Sequence, residues 1–380
     1  MFDVPDKETV VLAITRTFVL TYTMAMLLFA LVFCTGCGLV SHSLGRINRS
    51  LPISPLPNAK SYSPVQTLVI SPDAKYLIQG QHITEKEGES FSGDILQIWN
   101  IEKKKHTLIG RHRAGTHLAA TFSPDSKYVL ACANAGIIRI QMSDDTVEVI
   151  PLEEPKYLSD DGSLVACLLN DGWVVQTVDT QSQVLALPQN VDRFLAFSRD
   201  NKLMATTIKK RNTPGGGSIV ALWSLDEQGE MDAPTPICEI PVPSYFPSAE
   251  KTRFSPNSRF LALPSRQGGY VGIWDIQTGK MHKELGVHDG SIRTLEFSPD
   301  GKILAVGTQE ASGKYGKIYL WEVFSGKLIE REIINENQAK GVTALGFASD
   351  NETIFFGNSS GDVKSEKIKK SDSVFSFKSR

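Results

Sequence analysis

One phrase recurs seven times between residues 67 and 357, and few folds can satisfy it. Each copy is a short apolar stretch, then Ser-Pro-Asp or a relative, then a polar turn and a second apolar stretch. The copies read TLVISPDAKYLIQG (67–80), AATFSPDSKYVLAC (119–132), PKYLSDDGSLVACL (155–168), FLAFSRDNKLMATT (194–207), KTRFSPNSRFLALP (251–264), TLEFSPDGKILAVG (294–307) and ALGFASDNETIFFG (344–357). The marker serines Ser71, Ser123, Ser159, Ser198, Ser255, Ser298 and Ser349 lie 36 to 57 residues apart. The centre of the phrase is turn chemistry. Pro presets φ, Asp bonds its own backbone, and Gly or Asn accepts positive φ. The flanks alternate or are wholly apolar, as strands covered on both faces are.

A third apolar stretch follows in each copy and often ends in Trp, at Trp99, Trp223, Trp274 and Trp321, with Asp275 completing a Trp-Asp pair. Gln141, Thr177 and Glu366 stand at that position in the other copies. One such unit cannot bury both of its faces. Stacking units around a ring covers them and leaves few free sheet edges. The expected fold is therefore all-β, a seven-bladed propeller over residues 63–380.

These phrases and their Trp residues resemble the WD-repeat family. The resemblance implies a WD-like propeller that binds other proteins and is not an enzyme. Family repeats carry Gly-His before the first strand and an Asp in the turn before the third, both linked with the Trp. Here only the sixth repeat has a counterpart, Val287-His288-Asp289-Gly290, and its turn Asp is replaced within Ser312-Gly313-Lys314-Tyr315-Gly316. The resemblance assigns structural roles in the repeats to Trp99, Trp223, Trp274, Asp275, His288 and Trp321. For closure of the ring, SVFSFK (373–378) is expected to supply the outer strand of the last blade. A short clasp from Tyr62 to Val65 is the alternative.

Ahead of the repeats, residues 18 to 40 contain no charge and include MAMLLFALVF (24–33), a stretch long enough to enter a bilayer. It ends Phe33-Cys34-Thr35-Gly36-Cys37-Gly38, which resembles the lipobox of bacterial lipoprotein signal peptides. Cys34 stands where Leu is usual, and the charges before the apolar run nearly cancel. The resemblance implies cleavage before Cys37 and its lipidation. It places the protein at a bacterial cell envelope, with the propeller on the extracytoplasmic side. An uncleaved membrane helix is the competing reading. Residues 1–37 are thus signal or anchor. Residues 38–62, rich in Ser and Pro and free of apolar periodicity, form a tether.

The chemistry-bearing motifs are few. The formal net charge is −2, so nothing in the overall balance favours nucleic acid. No nucleophile elbow, P-loop, HExxH or paired-carboxylate motif occurs. No catalytic residue, metal ligand or cofactor is expected. His106, His112 and His117 match no metal spacing and read as a polar loop. Lys209-Lys210-Arg211 with Gly215-Gly216-Gly217 reads as a hairpin loop, because a strand rather than a helix follows. Lys103 to Lys105 and the lysines from Lys364 to Lys370 read as solubilising edges. Cys132 and Cys167 read as buried small residues.

The insertions carry the functional signal. Segments 81–92, 208–217 and 308–315 lengthen connections between second and third strands. The connection from blade four to blade five, 226–250, is long and rich in Pro. Growth on one face of a repeat array marks a binding face. Tyr245 and Phe246 are its candidate aromatic anchors for a protein partner. The alternative function is a small ligand or metal held in the central channel, with or without catalysis. That needs polar residues on the first strands, where Arg253 and Glu296 are the exceptions among apolar neighbours.

Overall fold

The computed structural model describes residues 62–368, apart from 85–91, 104, 114–118, 134–135, 171, 210–217, 227–233, 243–250, 265–268, 287, 311–314 and 332–340. Every described element longer than a turn is a strand, and consecutive strands pair antiparallel into seven sheets. Blade one is β1 (Tyr62–Ile70), β2 (Tyr76–Thr84), β3 (Ser92–Asn100) and β4 (Lys105–Arg113). Blade two is β5 (Ala120–Phe122), β6 (Tyr128–Ala133), β7 (Gly136–Gln141) and β8 (Val147–Pro151). Blade three is β9 (Pro155–Leu158), β10 (Leu164–Leu169), β11 (Gly172–Thr177) and β12 (Gln183–Ala186). Blade four is β13 (Val191–Phe197), β14 (Leu203–Lys209), β15 (Ser218–Ser224) and β16 (Cys238–Val242). Blade five is β17 (Arg253–Phe254), β18 (Phe260–Pro264), β19 (Val271–Asp275) and β20 (Lys280–Leu285). Blade six is β21 (Ser291–Phe297), β22 (Ile303–Gln309), β23 (Ile318–Glu322) and β24 (Leu328–Arg331). Blade seven has three described strands, β25 (Val342–Phe347), β26 (Thr353–Asn358) and β27 (Val363–Lys367).

The recurring phrase builds the turn from first to second strand. In blade one the Ser71 hydroxyl donates to the Asp73 carboxylate at 2.6 Å and accepts the Tyr76 N–H at 2.9 Å. Asp73 also accepts the Lys75 N–H at 3.1 Å. The same triangle forms at Ser123/Asp125, Ser159/Asp161, Ser198/Asp200, Ser255/Asn257 and Ser298/Asp300. The serines of blades one, three, four, five and six are buried, so their hydroxyls need these partners. The fourth turn residue is left-handed in every blade, and only Gly162 and Gly301 adopt this without a Cβ penalty. Three of the others use their side chains to reach the turn of the preceding blade. Ser126 accepts the Asp73 N–H at 3.2 Å, Asn201 donates to Asp161 at 2.7 Å, and Asn351 accepts the Asp300 N–H at 2.8 Å. The local cost of the backbone is offset by a polar girdle between blades.

The core is divided by the seams. Seven apolar clusters are present, and each fills the gap between two successive blades. The cluster of Ile78, Leu96, Phe122 and Val129 joins blades one and two. The cluster of Val65, Leu68, Leu77, Ala344 and Phe355 joins blade one to blade seven and closes the ring. A polar tie lies beside that last seam, where the buried Gln79 amide donates to the Gly361 carbonyl at 2.9 Å.

Several sequence expectations shift against this frame. The marker position of blade seven is Ala348, not Ser349, because the Ala348 N–H bonds the Thr353 carbonyl as each marker serine bonds its own partner. Asp350 there caps the backbone of Glu352 and Thr353 without a serine. In the third strands the register places Ile140 and Gln176, not Gln141 and Thr177, opposite the residue that faces each Trp. The β2–β3 and β14–β15 ladders run into segments 81–92 and 208–217, leaving tips at 85–91 and 210–217. The supposed single connection 226–250 is two, because β16 interrupts it. Residues 373–378 lie outside the described residues. Tyr62 to Val65 belongs to β1, the innermost strand of blade one, and pairs with β2 rather than with blade seven.

Candidate functional site

Two surfaces stand out: one rim of the ring and its central channel. In an antiparallel meander the connections from first to second and from third to fourth strand share one rim. Those from second to third strand and from blade to blade share the other. The connections β2–β3, β14–β15, β22–β23 and β16–β17 therefore leave on one rim. β15 ends and β16 begins at the opposite rim, with the Ser-x-Asp turns. Tyr245 and Phe246 lie outside the described residues, in the β16–β17 connection.

The channel, of about 1070 Å³, is walled by the first strands. Two residues before the marker position, the wall is formed in blade order by Val69, Thr121, Tyr157, Ala196, Arg253, Glu296 and Gly346. One residue after it, the wall presents Pro72, Pro256 and Pro299, but Asp160 in blade three and Arg199 in blade four. Arg253 donates from Nε to Glu296 at 3.1 Å and from a terminal nitrogen to the Thr252 carbonyl at 2.9 Å. The sequence singled out Arg253 and Glu296, and the structure pairs them. It did not single out Asp160 and Arg199, although the loss of Pro from the repeat phrase was the signal. The Asp160 side chain is exposed to the channel, and desolvation by the surrounding blades raises its carboxyl above the ordinary value, opposed by Arg199 and Arg253. Glu296 is likewise raised, mainly by burial and against the pull of Arg253. The opposite wall, in blades seven, one and two, carries no charged side chain among the described residues.

The repeat-structural residues have distinct surroundings. Trp223 is buried and donates its indole N–H to Thr206 at 2.8 Å. Trp321 donates to His288 Nε2 at 2.8 Å, and the other ring nitrogen of His288 bonds the Gly269 carbonyl. His288 also packs edge-on against Tyr319 and Trp321. In place of a turn Asp, the Gly269 carbonyl meets Nδ1 of His288, and the Tyr319 hydroxyl on β23 accepts the Asp289 N–H at 2.9 Å. Asp275 caps Thr278 and pairs with Arg259 at 3.3 Å. Trp99 and Trp274 pack on the seams of blades seven–one and four–five.

The family described as WD domain, G-beta repeat matches residues 279–322, which hold His288, Trp321 and the blade-six turn. The chain is thus a seven-bladed propeller in which residues 279–322 match a WD repeat. It is 23% identical over 175 residues to Protein hir-1 of Neurospora crassa, covering 38% of this chain and 16% of that protein. It is 32% identical over 78 residues to the small ribosomal subunit protein RACK1y of Oryza sativa, 20% of this chain and 22% of that one. It is 28% identical over 137 residues to the Protein LST8 homolog of Drosophila melanogaster, 36% and 37% of the two chains. The matches thus span well under half the length of these relatives.

Elsewhere in the propeller, Cys132 and Cys167 are free, buried thiols in the seam of blades two and three. Burial pushes the Cys167 thiol up to about 11, far from a reactive thiolate. His106 and His112 fall on β4 and His117 outside the described residues. No cluster of three His, Cys, Asp or Glu side chains able to hold a metal occurs among the described residues.

Proposed function

We propose that this WD-repeat propeller is a non-enzymatic interaction module, held at a membrane by its N-terminal segment. The observation that carries the interaction reading is that four lengthened connections, β2–β3, β14–β15, β16–β17 and β22–β23, share one rim, although the long β15–β16 connection belongs to the other. A rigid ring whose seams are all filled presents those loops without itself rearranging. Similarity to RACK1y and the LST8 homolog, both proteins of the same repeat class, is consistent with a binding role. Tyr245 and Phe246 are the proposed anchors of this rim, because large aromatic side chains dominate protein interfaces. The test is in-cell cross-linking followed by affinity purification and mass spectrometry. The wild type is expected to capture a defined partner that Tyr245→Ala/Phe246→Ala loses. No partner in either sample, or equal capture by both, overturns this reading.

The membrane reading rests on residues 18–40 and on Cys37. In it the leader is removed and a lipid on Cys37 holds the ring at a bacterial envelope, on the extracytoplasmic side, with 38–62 as tether. Intact mass measured on membrane-extracted protein is expected to show loss of residues 1–36 and a lipid increment on Cys37. A mass retaining residues 1–36 would instead support an uncleaved helix.

A further inference from the structure

The channel carries a charge pattern for which the interacting rim has no use. Asp160, Arg199, Arg253 and Glu296 come from four successive blades, three to six, and meet in one half of the channel. Arg199 and Arg253 both act on Asp160 and on Glu296, so the four groups form a single electrostatic unit. Only part of it is internally satisfied. Arg253 holds Glu296, but no hydrogen bond ties Arg199 to Asp160 among the described residues. Lys251 and Arg293 add two cations to the same wall. Four cations then face two carboxylates, in a chain whose formal net charge is −2. A low-dielectric wall around an excess of one sign focuses its field on whatever enters. At about 1070 Å³, the channel lies at the upper end of the range for small-molecule sites.

We propose that the channel binds a small multivalent anion bearing phosphate or carboxylate groups, with Arg199 as its principal free donor and Arg253 beside it. A guanidinium fork matches either oxyanion in two parallel hydrogen bonds. Arg293, exposed on the same wall, adds attraction. This site does not depend on the partner-binding rim, so either can fail alone.

The test is calorimetric titration of the full chain with pyrophosphate and, separately, with citrate at low ionic strength. At least one is expected to bind with one-to-one stoichiometry, and the preferred probe identifies the oxyanion class. Arg199→Ala is expected to weaken that probe at least tenfold, and Arg199→Lys less. Lys127→Ala, at an exposed turn lysine outside the channel lining, is expected to leave binding unchanged. Arg199 is exposed, so an unaltered unfolding midpoint for Arg199→Ala is expected and keeps the comparison fair. Failure of both probes to bind at millimolar concentration overturns the site. Equal binding by Arg199→Ala, or equal weakening by Lys127→Ala, overturns it as well.

Discussion

Gly357→Ala is expected to loosen the ring at its closure, costing about 2–3 kcal/mol, although an added methyl in a strand ordinarily stabilises by roughly 0.5–1 kcal/mol. The sign reverses because of what the methyl would meet. A Cβ built on Gly357, in β26, would lie 2.6 Å from Val65 Cβ, 2.7 Å from Cγ1 and 3.0 Å from Cγ2. Val65 is fully buried on β1 of blade one, so it has nowhere to go. The equivalent site one seam earlier is built alike. Gly307 would place its Cβ 2.8 Å from a Val342 methyl and 2.6 Å from a Thr294 methyl. A glycine at the end of the second strand thus lets the first strand of the next blade approach. Two measurements check the assignment. Urea unfolding is expected to show a smaller loss for Gly357→Ala in a Val65→Ala background, since two of the three clashing atoms are then gone; a coupling of about 1 kcal/mol follows. Hydrogen exchange is expected to accelerate first in β1 and in β25 to β27, where the ring would part. Uniform acceleration around the ring, or strict additivity of the two substitutions, would contradict closure by this contact.

Much of this architecture was legible because one turn repeats. Ser-x-Asp fixes a hydrogen-bond triangle within seven residues, so local sequence specifies it without tertiary help. Six such turns and the serine-less turn at Ala348 to Asp350 set the number of blades, and the apolar runs around them set which strands are covered on both faces. What was less legible depends on register or on distance along the chain. In blade seven a serine follows the marker position, and only the backbone bond from Ala348 to Thr353 shows which residue occupies it. In blades two and three no Trp announces the third-strand register, and a one-residue error was invisible without the ladder. The 226–250 segment concealed β16 because CEIPV combines a charge with a proline. Pro241 is tolerated there on an outer strand, where its missing N–H need not serve an inner neighbour. The charged half of the channel was the hardest to see. Asp160 and Arg199 lie 39 positions apart in sequence and look like ordinary turn variation until closure of the ring brings them onto one wall.

The seams and the channel also divide the labour of the sequence. Substitutions at seam positions report on whether the ring exists, whereas Asp160, Arg199, Arg253 and Glu296 contribute little apolar burial and can vary without opening it. Glu296 is half-buried and held by Arg253, whereas Asp160 and Arg199 stay exposed on the channel wall, so none of the four is needed to fill a seam.

His288 makes the stability of blade six depend on pH. Its side chain is buried, and Trp321 donates to Nε2, so Nε2 must be unprotonated and Nδ1 must carry the proton toward the Gly269 carbonyl. Burial lowers its pKa from the ordinary 6.5, opposed by the Gly269 bond and by Asp289. The sign follows directly. Below 6.5 the unfolded chain takes up a proton that the folded chain refuses, so unfolding is favoured as pH falls. The contribution of His288 is fully present above pH 6.5 and is lost as pH drops through the lower folded-state value. In that window the slope is at most about 1.4 kcal/mol per pH unit for one group. Urea unfolding at pH 7.5, 6.5, 5.75 and 5.0 is expected to show stability level above 6.5 and falling below it. His288→Gln, which can still accept from Trp321 and donate to Gly269 without titrating, is expected to flatten that fall. His288→Ala removes the acceptor of a buried indole N–H and leaves a cavity against Trp321 and Tyr319. It is expected to cost about 3 kcal/mol at pH 7.5, well beyond the glutamine variant. Equal pH slopes for the wild type and His288→Gln would show that protonation of this ring is not what couples blade six to pH.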